Sequence, residues 1–240
     1  MTLSLVIPFY NEEKNIVTVV QMISSSLKDA AIDYRLVLVN NGSKDHSGQI
    51  LEHLKKENLD RITVVNIARN QGYGWGIING LAKAKESYIG YMGGDGQIKA
   101  EDVVKVINKL QTGKFDLTKI NRVVRDDGIL RRFLSFVFNH LFSVLFRITS
   151  TDINGSPKII KGELLDVIRP VSRDWFIDAE IMIKAKYLNL RIEEVPVEFL
   201  RREKGSSHIR FSTIGEFLLN MVRYKFGGGI REWKKTISRL

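Results

Sequence analysis

The residues best suited by type and spacing to do chemistry lie in Gly93-Gly94-Asp95-Gly96-Gln97, directly after the apolar run Tyr88-Ile89-Gly90-Tyr91-Met92. Glycines so closely spaced permit backbone angles and close approaches that a Cβ forbids. The run before them has the length and β-prone content of a buried strand. Asp95 and Gln97 fall just past its carboxyl end, where open α/β sheets bind their ligands. A carboxylate and an amide oxygen two residues apart can both reach one hard cation, and Mg²⁺ or Mn²⁺ held this way completes its shell with substrate phosphates. The same residues also suit a tight turn in which Asp95 caps a helix starting near Ala100. The stretch by itself does not choose between the two.

A second glycine loop, Gly72-Tyr73-Gly74-Trp75-Gly76, follows an expected strand and opens an expected helix, with Asp95 about 20 residues on, as in a dinucleotide fingerprint. The third glycine of that motif would fall at Ile77, and Arg69 beside the loop is better explained as a partner for a phosphate or an acid. A nicotinamide or flavin oxidoreductase is therefore disfavoured.

The elements that must position these loops alternate. Strands are expected at 3–8, 34–39, 62–67, 87–92 and 115–120, with helices after each of the first four, the first capped by Asn11. Such βα units predict a mostly parallel sheet flanked by helices. Beyond 120 a long apolar helix is expected at 129–148, with Arg131, Ser135 and Asn139 on one polar stripe, and that stripe alone reads as the wet side of a core helix. Asp178 and Glu180 open another helix, where they serve either the helix dipole or a site. Trp175 reads as core or pocket wall, and His208 as structural or solvent-facing.

The chain of 240 residues can bury a full core. It has no cysteine, which excludes disulfides and thiolate metal sites and makes an intracellular compartment the default. The start reads as a first strand with no signal peptide, and the most apolar run, 133–146, is too short and too interrupted to span a bilayer. Formal charge is +10, and residues 201–240 hold ten Lys and Arg against three Glu. Without an RNA-binding motif, this excess suits an anionic membrane surface or phosphorylated substrates better than nucleic acid.

Taken in order, residues 6–13, Val39-Asn40-Asn41-Gly42-Ser43-Lys44-Asp45, Arg69-Asn70-Gln71-Gly72-Tyr73-Gly74 and 93–97 resemble glycosyltransferase family 2 with the GT-A fold. Residues 152–158, 175–180 and Glu194-Val195-Pro196-Val197-Glu198-Phe199, with Arg202, Gly205 and Ser207, look like its dolichyl-phosphate mannose synthase and polyprenyl-phosphate glycosyltransferase branch. The resemblance covers 4 to about 210; residues 1–210 would be the GT-A domain, with C-terminal amphipathic helices at 211–240 as a membrane-surface contact.

It implies an inverting transfer from a nucleotide sugar to a polyprenyl or dolichyl phosphate at the cytoplasmic face of a membrane. Pro8, Tyr10, Glu12, Asn40, Gly42, Arg69 and Gly72 would line the nucleotide pocket, Asn40 facing the base. Asp95 and Gln97 would hold Mg²⁺ or Mn²⁺, Arg202 would reach the diphosphate, and Arg131 and Ser135 would hold the acceptor phosphate. Asp95, Arg131 and Arg202 would then be the catalytic set. Two departures stand out: the family usually carries an acid at Gly93 and acids where this chain has Asn40 and Asn41, so UDP and GDP both stay open. A hydroxyl acceptor and a non-catalytic nucleotide-sugar binding protein are the competing readings.

In the tail, Thr213 and Glu216 suit a capping box starting a helix with Ile214, Phe217, Leu218, Met221 and Tyr224 on one face. Beyond Gly227-Gly228-Gly229, the residues Ile230, Trp233, Ile237 and Leu240 recur at helical spacing among Arg231, Lys234, Lys235 and Arg239. A basic amphipathic helix with a Trp face predicts a segment lying in the membrane interface, against the alternative that it packs on the domain.

Overall fold

The computed structural model describes residues 2–125, 129–200 and 211–238; the side chains of 124–125, 129–135 and 211–214 lie outside that description. In chain order the elements are β1 (Thr2–Phe9), α1 (Ile16–Asp29), β2 (Asp33–Asn41), α2 (Ser47–Glu57), β3 (Ile62–Ile67), α3 (Tyr73–Leu81), β4 (Tyr88–Tyr91) and α4 (Ala100–Gln111). There follow β5 (Leu117–Arg125), α5 (Ile129–Phe146), β6 (Lys158–Lys161), α6 (Leu165–Ile168), α7 (Ile177–Tyr187), β7 (Ile192–Phe199), α8 (Phe211–Phe226) and α9 (Gly229–Ile237).

The strands form one sheet in the order β3-β2-β1-β4-β6-β5-β7. All neighbours are parallel except that β6 runs antiparallel to both β4 and β5. The expected α/β, mostly parallel GT-A architecture is the one observed. Alternation along each central strand divides the core. Leu3, Leu5, Ile7, Leu36 and Leu38 face α1, α2 and α4, whereas Val6, Val37 and Val39 face α3, α7 and the C-terminal helices.

The second layer absorbs the tail. Trp233 and Ile230 are buried on the domain, and the Trp233 indole N–H donates to the Val167 carbonyl (2.8 Å) beside Tyr187 and Lys184. The membrane-facing reading of α9 therefore gives way to the packing alternative; Leu240 lies outside the described residues. Thr213 lies within α8, so it is not the non-helical residue ahead of the helix that the expected capping box requires. Among the described residues no helix is long and apolar enough to cross a membrane.

Candidate active site

The parallel pairing of β1 with β2 and β4 brings three carboxyl ends together. The chain leaving β1 is stitched to the chain leaving β2. The backbone N–H groups of Asn11, Glu12 and Glu13 donate to Ser43 Oγ (3.1 Å), Ser47 Oγ (3.0 Å) and Asp45 Oδ2 (3.2 Å), and Lys44 N–H donates to Asn11 Oδ1 (2.8 Å). Asn11 adopts φ 54, a left-handed conformation Asn tolerates. It does not cap α1: Asn15 takes the N-cap position, and the side chain of Asn11 is engaged with the second loop. Pro8 is buried near the end of β1 and Tyr10 half-buried just beyond it, with Glu12 buried on the loop.

Both expected amides of the second loop are occupied. Asn40 accepts from Ser43 N–H (3.0 Å) and donates to Asn66 Oδ1 (3.2 Å). Asn41 donates to the Gly72 carbonyl (3.0 Å), while its Oδ1 is buried without a hydrogen-bond partner. Gly42 (φ +75) lets the loop touch the next one, since a Cβ there would lie 2.4 Å from Asn70 N. Arg69 is exposed beside this contact.

The glycine loop at 72–76 is a seat for backbone. A Cβ on Gly72 would lie 2.3 Å from the Arg173 carbonyl oxygen and one on Gly74 2.2 Å from that of Ser172. Trp75 N–H donates to the Arg173 carbonyl (2.8 Å), so a donor at the start of α3 that a pyrophosphate would need is taken. Glu180 holds the covering segment by accepting from Val171 N–H and Ser172 N–H (2.7 Å for the latter) while pairing with Lys184 (2.5 Å). Trp175 stacks on Tyr73 (4.5 Å) as a half-buried wall.

Asp95 closes its own turn by accepting from Gln97 N–H (3.2 Å). It does not cap α4, whose N-cap position is Lys99 and whose first turn carries Glu101 and Asp102. Gly94 lies against the Phe9 ring, 2.4 Å from where a Cβ would be. Gln97 ties the turn to the end of β7: its Nε2 donates to the Leu200 carbonyl (2.9 Å) and its backbone carbonyl accepts from Leu200 N–H (3.0 Å). With Nε2 so engaged, Oε1 is the atom of this amide that suits a cation. Burial raises the Asp95 pKa, against the opposing Gln97 N–H and the charge of Arg122, and among the described residues Asp95 makes no ion pair. Among the described residues no group of three acidic, His or Cys side chains is placed to hold a metal ion. A cation here would take one carboxylate and one amide from the protein, which suits an ion shared with a diphosphate.

Beneath the turn, Asp178 accepts from Tyr91 Oη (2.7 Å) and from buried Lys158. Burial pushes Lys158 down to about 8 against the pull of Asp178, and burial with Asp178's charge raises Tyr73. Arg122, which sequence reasoning missed, is gripped by Asp152 (2.7 and 2.6 Å) over the Phe199 ring. Burial would raise Asp152, but Arg122 and Lys119 hold it well below the usual carboxylate range. The signal available was position: Arg122 lies just beyond the expected carboxyl end of the fifth strand, as Asp95 does for the fourth.

Asn139, one member of the expected polar stripe, joins α5 to the 151–153 loop through the Thr151 carbonyl (2.8 Å) and Ile153 N–H (3.2 Å). The backbone of α5 carries Arg131 and Ser135, but their side chains, and all of Arg202, Gly205, Ser207 and His208, lie outside the described residues.

The family model described as glycosyl transferase family 2 matches residues 4–176. An undecaprenyl-phosphate 4-deoxy-4-formamido-L-arabinose transferase of Pseudomonas fluorescens is 27% identical over 205 residues, which are 85% of this chain and 59% of that one. A dodecaprenyl-phosphate galacturonate synthase of Rhizobium johnstonii is 26% identical over 229 residues, 94% of this chain and 67% of the relative. The chain thus spans 59% of the length of the first of these relatives. Glucosyl-3-phosphoglycerate synthase of Mycobacterium tuberculosis, solved with Mn²⁺, UDP and glucosyl-3-phosphoglycerate, shares the fold with a TM-score of 0.72 at 19% identity, covering 94% of this chain and 80% of that one.

Proposed function

Because the chain belongs to glycosyl transferase family 2, we propose that it moves a sugar from UDP or GDP to a polyprenyl or dolichyl phosphate, with inversion at the anomeric carbon. The observation that carries this reading is Asp95, a half-buried carboxylate at the carboxyl end of the sheet, without an ion-pair partner among the described residues and beside the stitched loops. The two relatives named for undecaprenyl and dodecaprenyl phosphate support the acceptor class, and the neighbour solved with Mn²⁺ and UDP supports a cation beside a diphosphate.

In this reading Pro8, Tyr10, Glu12, Asn40, Gly42 and Arg69 line the nucleotide pocket, while Gly72 seats the Arg173 carbonyl beside it. Asp95 and Gln97 hold Mg²⁺ or Mn²⁺, which when bound supplies positive charge to the departing diphosphate. Arg202 reaches that diphosphate, and Arg131 and Ser135 take the acceptor phosphate. The acceptor brings its own nucleophile, since a phosphate monoester with a second pKa of about 6 is mostly dianionic at neutral pH. One of its oxygens bonds to the anomeric carbon from the face opposite the diphosphate, whose bond to that carbon breaks as the nucleotide leaves. No general base is required, so the work of the protein is orientation and charge. Arg122, fixed by Asp152, adds a positive charge felt at Asp95. A lipid-linked acceptor places this chemistry at a membrane surface, on the cytoplasmic side.

A thermal-shift panel of UDP- and GDP-sugars with and without Mn²⁺ tests the donor half, because ligands that bind only the folded state raise its melting temperature. One nucleotide series should stabilise the protein only with Mn²⁺, with loss in Asp95→Ala and weakening in Gln97→Ala. No shift with any nucleotide sugar would sink the reading.

A further inference from the structure

The segment between α6 and α7 is held at nearly every residue. The Arg169 carbonyl accepts from Lys184 Nζ (2.7 Å), and Val171 and Ser172 N–H donate to Glu180. The Arg173 carbonyl accepts from Trp75 N–H (2.8 Å), while its guanidinium lies 4.4 Å from the Trp75 ring centre. Asp174 accepts from Phe176 N–H (2.8 Å) and from Asn220 of α8 (2.7 Å). What this bracing presents at its end is Trp175, half-buried and stacked on Tyr73 at 4.5 Å. Tyr73 in turn feels the groups around the cation turn: burial raises its pKa, the charges of Asp178 and Asp95 add to that, and Ser156 and Arg122 oppose it. The indole N–H of Trp233 has the Val167 carbonyl, but that of Trp175 has no acceptor among the described residues. Nor is it among their buried unpartnered atoms, which are Asn41 Oδ1, Asn154 Oδ1 and Tyr224 Oη, so it opens to solvent. A rigid ring with one face packed and one solvent-open donor is the kind of group by which a pocket orients its ligand.

We infer that Trp175 is a specificity-determining residue that contacts the transferred sugar, its indole N–H donating to one of the sugar's oxygens. The inference rests on the nucleotide-sugar reading above and deepens it. In that reading the base lies at Asn40 on β2 and the cation at Asp95 beyond β4, so the sugar falls farther along the sheet, toward β6 and β5. The charges that reach Tyr73 belong to that side: Asp95 follows β4, Asp178 pairs with Lys158 of β6, and Arg122 lies on β5. They are also largely committed within the protein, Asp178 to Lys158, Arg122 to Asp152 and, behind the braced segment, Glu180 to Lys184. Trp175 adds a neutral donor, which suits a hydroxyl or acyl oxygen. The bracing serves the same role, since a group that discriminates between ligands must have its own position fixed by its surroundings.

The test is calorimetric titration of the full chain, with Mn²⁺ present, by UDP-glucose, UDP-galactose, UDP-N-acetylglucosamine and GDP-mannose, and by UDP and GDP. The ratio of nucleotide-sugar affinity to that of the matching bare diphosphate isolates what the sugar contributes. For the sugar the parent binds best, Trp175→Phe should lower that ratio about tenfold, as expected for the loss of one hydrogen bond. Affinity for the bare diphosphate should be unchanged and the melting temperature within a few degrees of the parent, since the ring stack on Tyr73 stays and no protein acceptor is stranded. Trp175→Leu, which also lacks the N–H, should lower the ratio at least as far. Trp75→Phe, the same substitution at a ring covered by Arg173, should keep the parental ratio. A parental ratio in either Trp175 variant, or an equal fall in Trp75→Phe, overturns the inference. So does a loss of diphosphate affinity as large as the loss for the nucleotide sugar, which is what a purely structural role would give. A parent that binds a bare diphosphate and none of the sugar nucleotides overturns the inference and leaves the nucleotide pocket standing; one that binds neither refutes the functional reading as well.

Discussion

Gly93→Asp restores the acid that the family pattern leads one to expect and probes the cation position directly. Among the described residues a Cβ at 93 would meet only the Asp95 carboxylate, 3.8 Å from Oδ1, and Gly93 is not among the glycines of positive φ, so the backbone accepts an aspartate. Two carboxylates about 4–5 Å apart repel by about 3–4 kcal/mol at an effective dielectric constant of about 20. Asp95 is partly open to solvent, and screening reduces that to about 1–2 kcal/mol. The metal-free variant should therefore melt a few degrees below the parent. A dication between the two carboxylates turns repulsion into attraction, so Mn²⁺ with nucleoside diphosphate should bind the variant about tenfold more tightly, equivalent to about 1.4 kcal/mol. The assay is a melting curve taken metal-free and through an Mn²⁺ titration with UDP or GDP. An unchanged metal-free melting temperature together with an unchanged Mn²⁺ response would refute the placement of the cation at Asp95.

Asp95→Asn should stabilise the metal-free protein while ending turnover. Burial raises the Asp95 pKa, so the folded state resists ionisation; the penalty is absent below the ordinary carboxylate range and grows as pH rises through the folded pKa. Melting temperatures of parent and variant should converge in acid and separate at neutral pH, and a variant less stable at neutral pH contradicts this. Asp178→Ala strands the buried Lys158 ammonium and should cost about 3–5 kcal/mol in urea unfolding, much of it recovered in Lys158→Met/Asp178→Leu; a cost below about 1 kcal/mol would place the pair outside the core. Trp233→Ala should lose about 3–5 kcal/mol of stability with vesicle binding intact, and the opposite pattern would return α9 to the membrane.

The βα alternation was legible because each strand is a short apolar run bounded by turn residues, and the carboxyl-end loops follow from that topology. The partners of polar side chains were not. Asn11 suits a cap by type, but its left-handed backbone turns it to Lys44, a contact 33 residues away. Gly72 and Gly74 announced a close backbone approach without saying that the visitor is the carbonyl of 172 or 173 and not a phosphate. Periodicity gave α9 an apolar face, yet periodicity is blind to whether Val167 and Tyr187 or a bilayer covers it. Arg122 went unseen because the fifth strand runs on to Arg125, beyond its apolar segment, through pairing with β7. From their place in the first turn of α7, Asp178 and Glu180 suited the helix dipole and a site equally, whereas burial commits them to Lys158, Lys184 and the 171–172 backbone.

The central claim is most directly tested by incubating the full chain with UDP- and GDP-sugars, Mn²⁺ and polyprenyl phosphate in anionic vesicles, and measuring nucleoside diphosphate released against glycosylated lipid phosphate formed. The account predicts equimolar products from one nucleotide series, dependent on the lipid phosphate and lost in Asp95→Ala. Release that persists unchanged in Asp95→Ala, or that is indifferent to omission of the lipid phosphate, would contradict it.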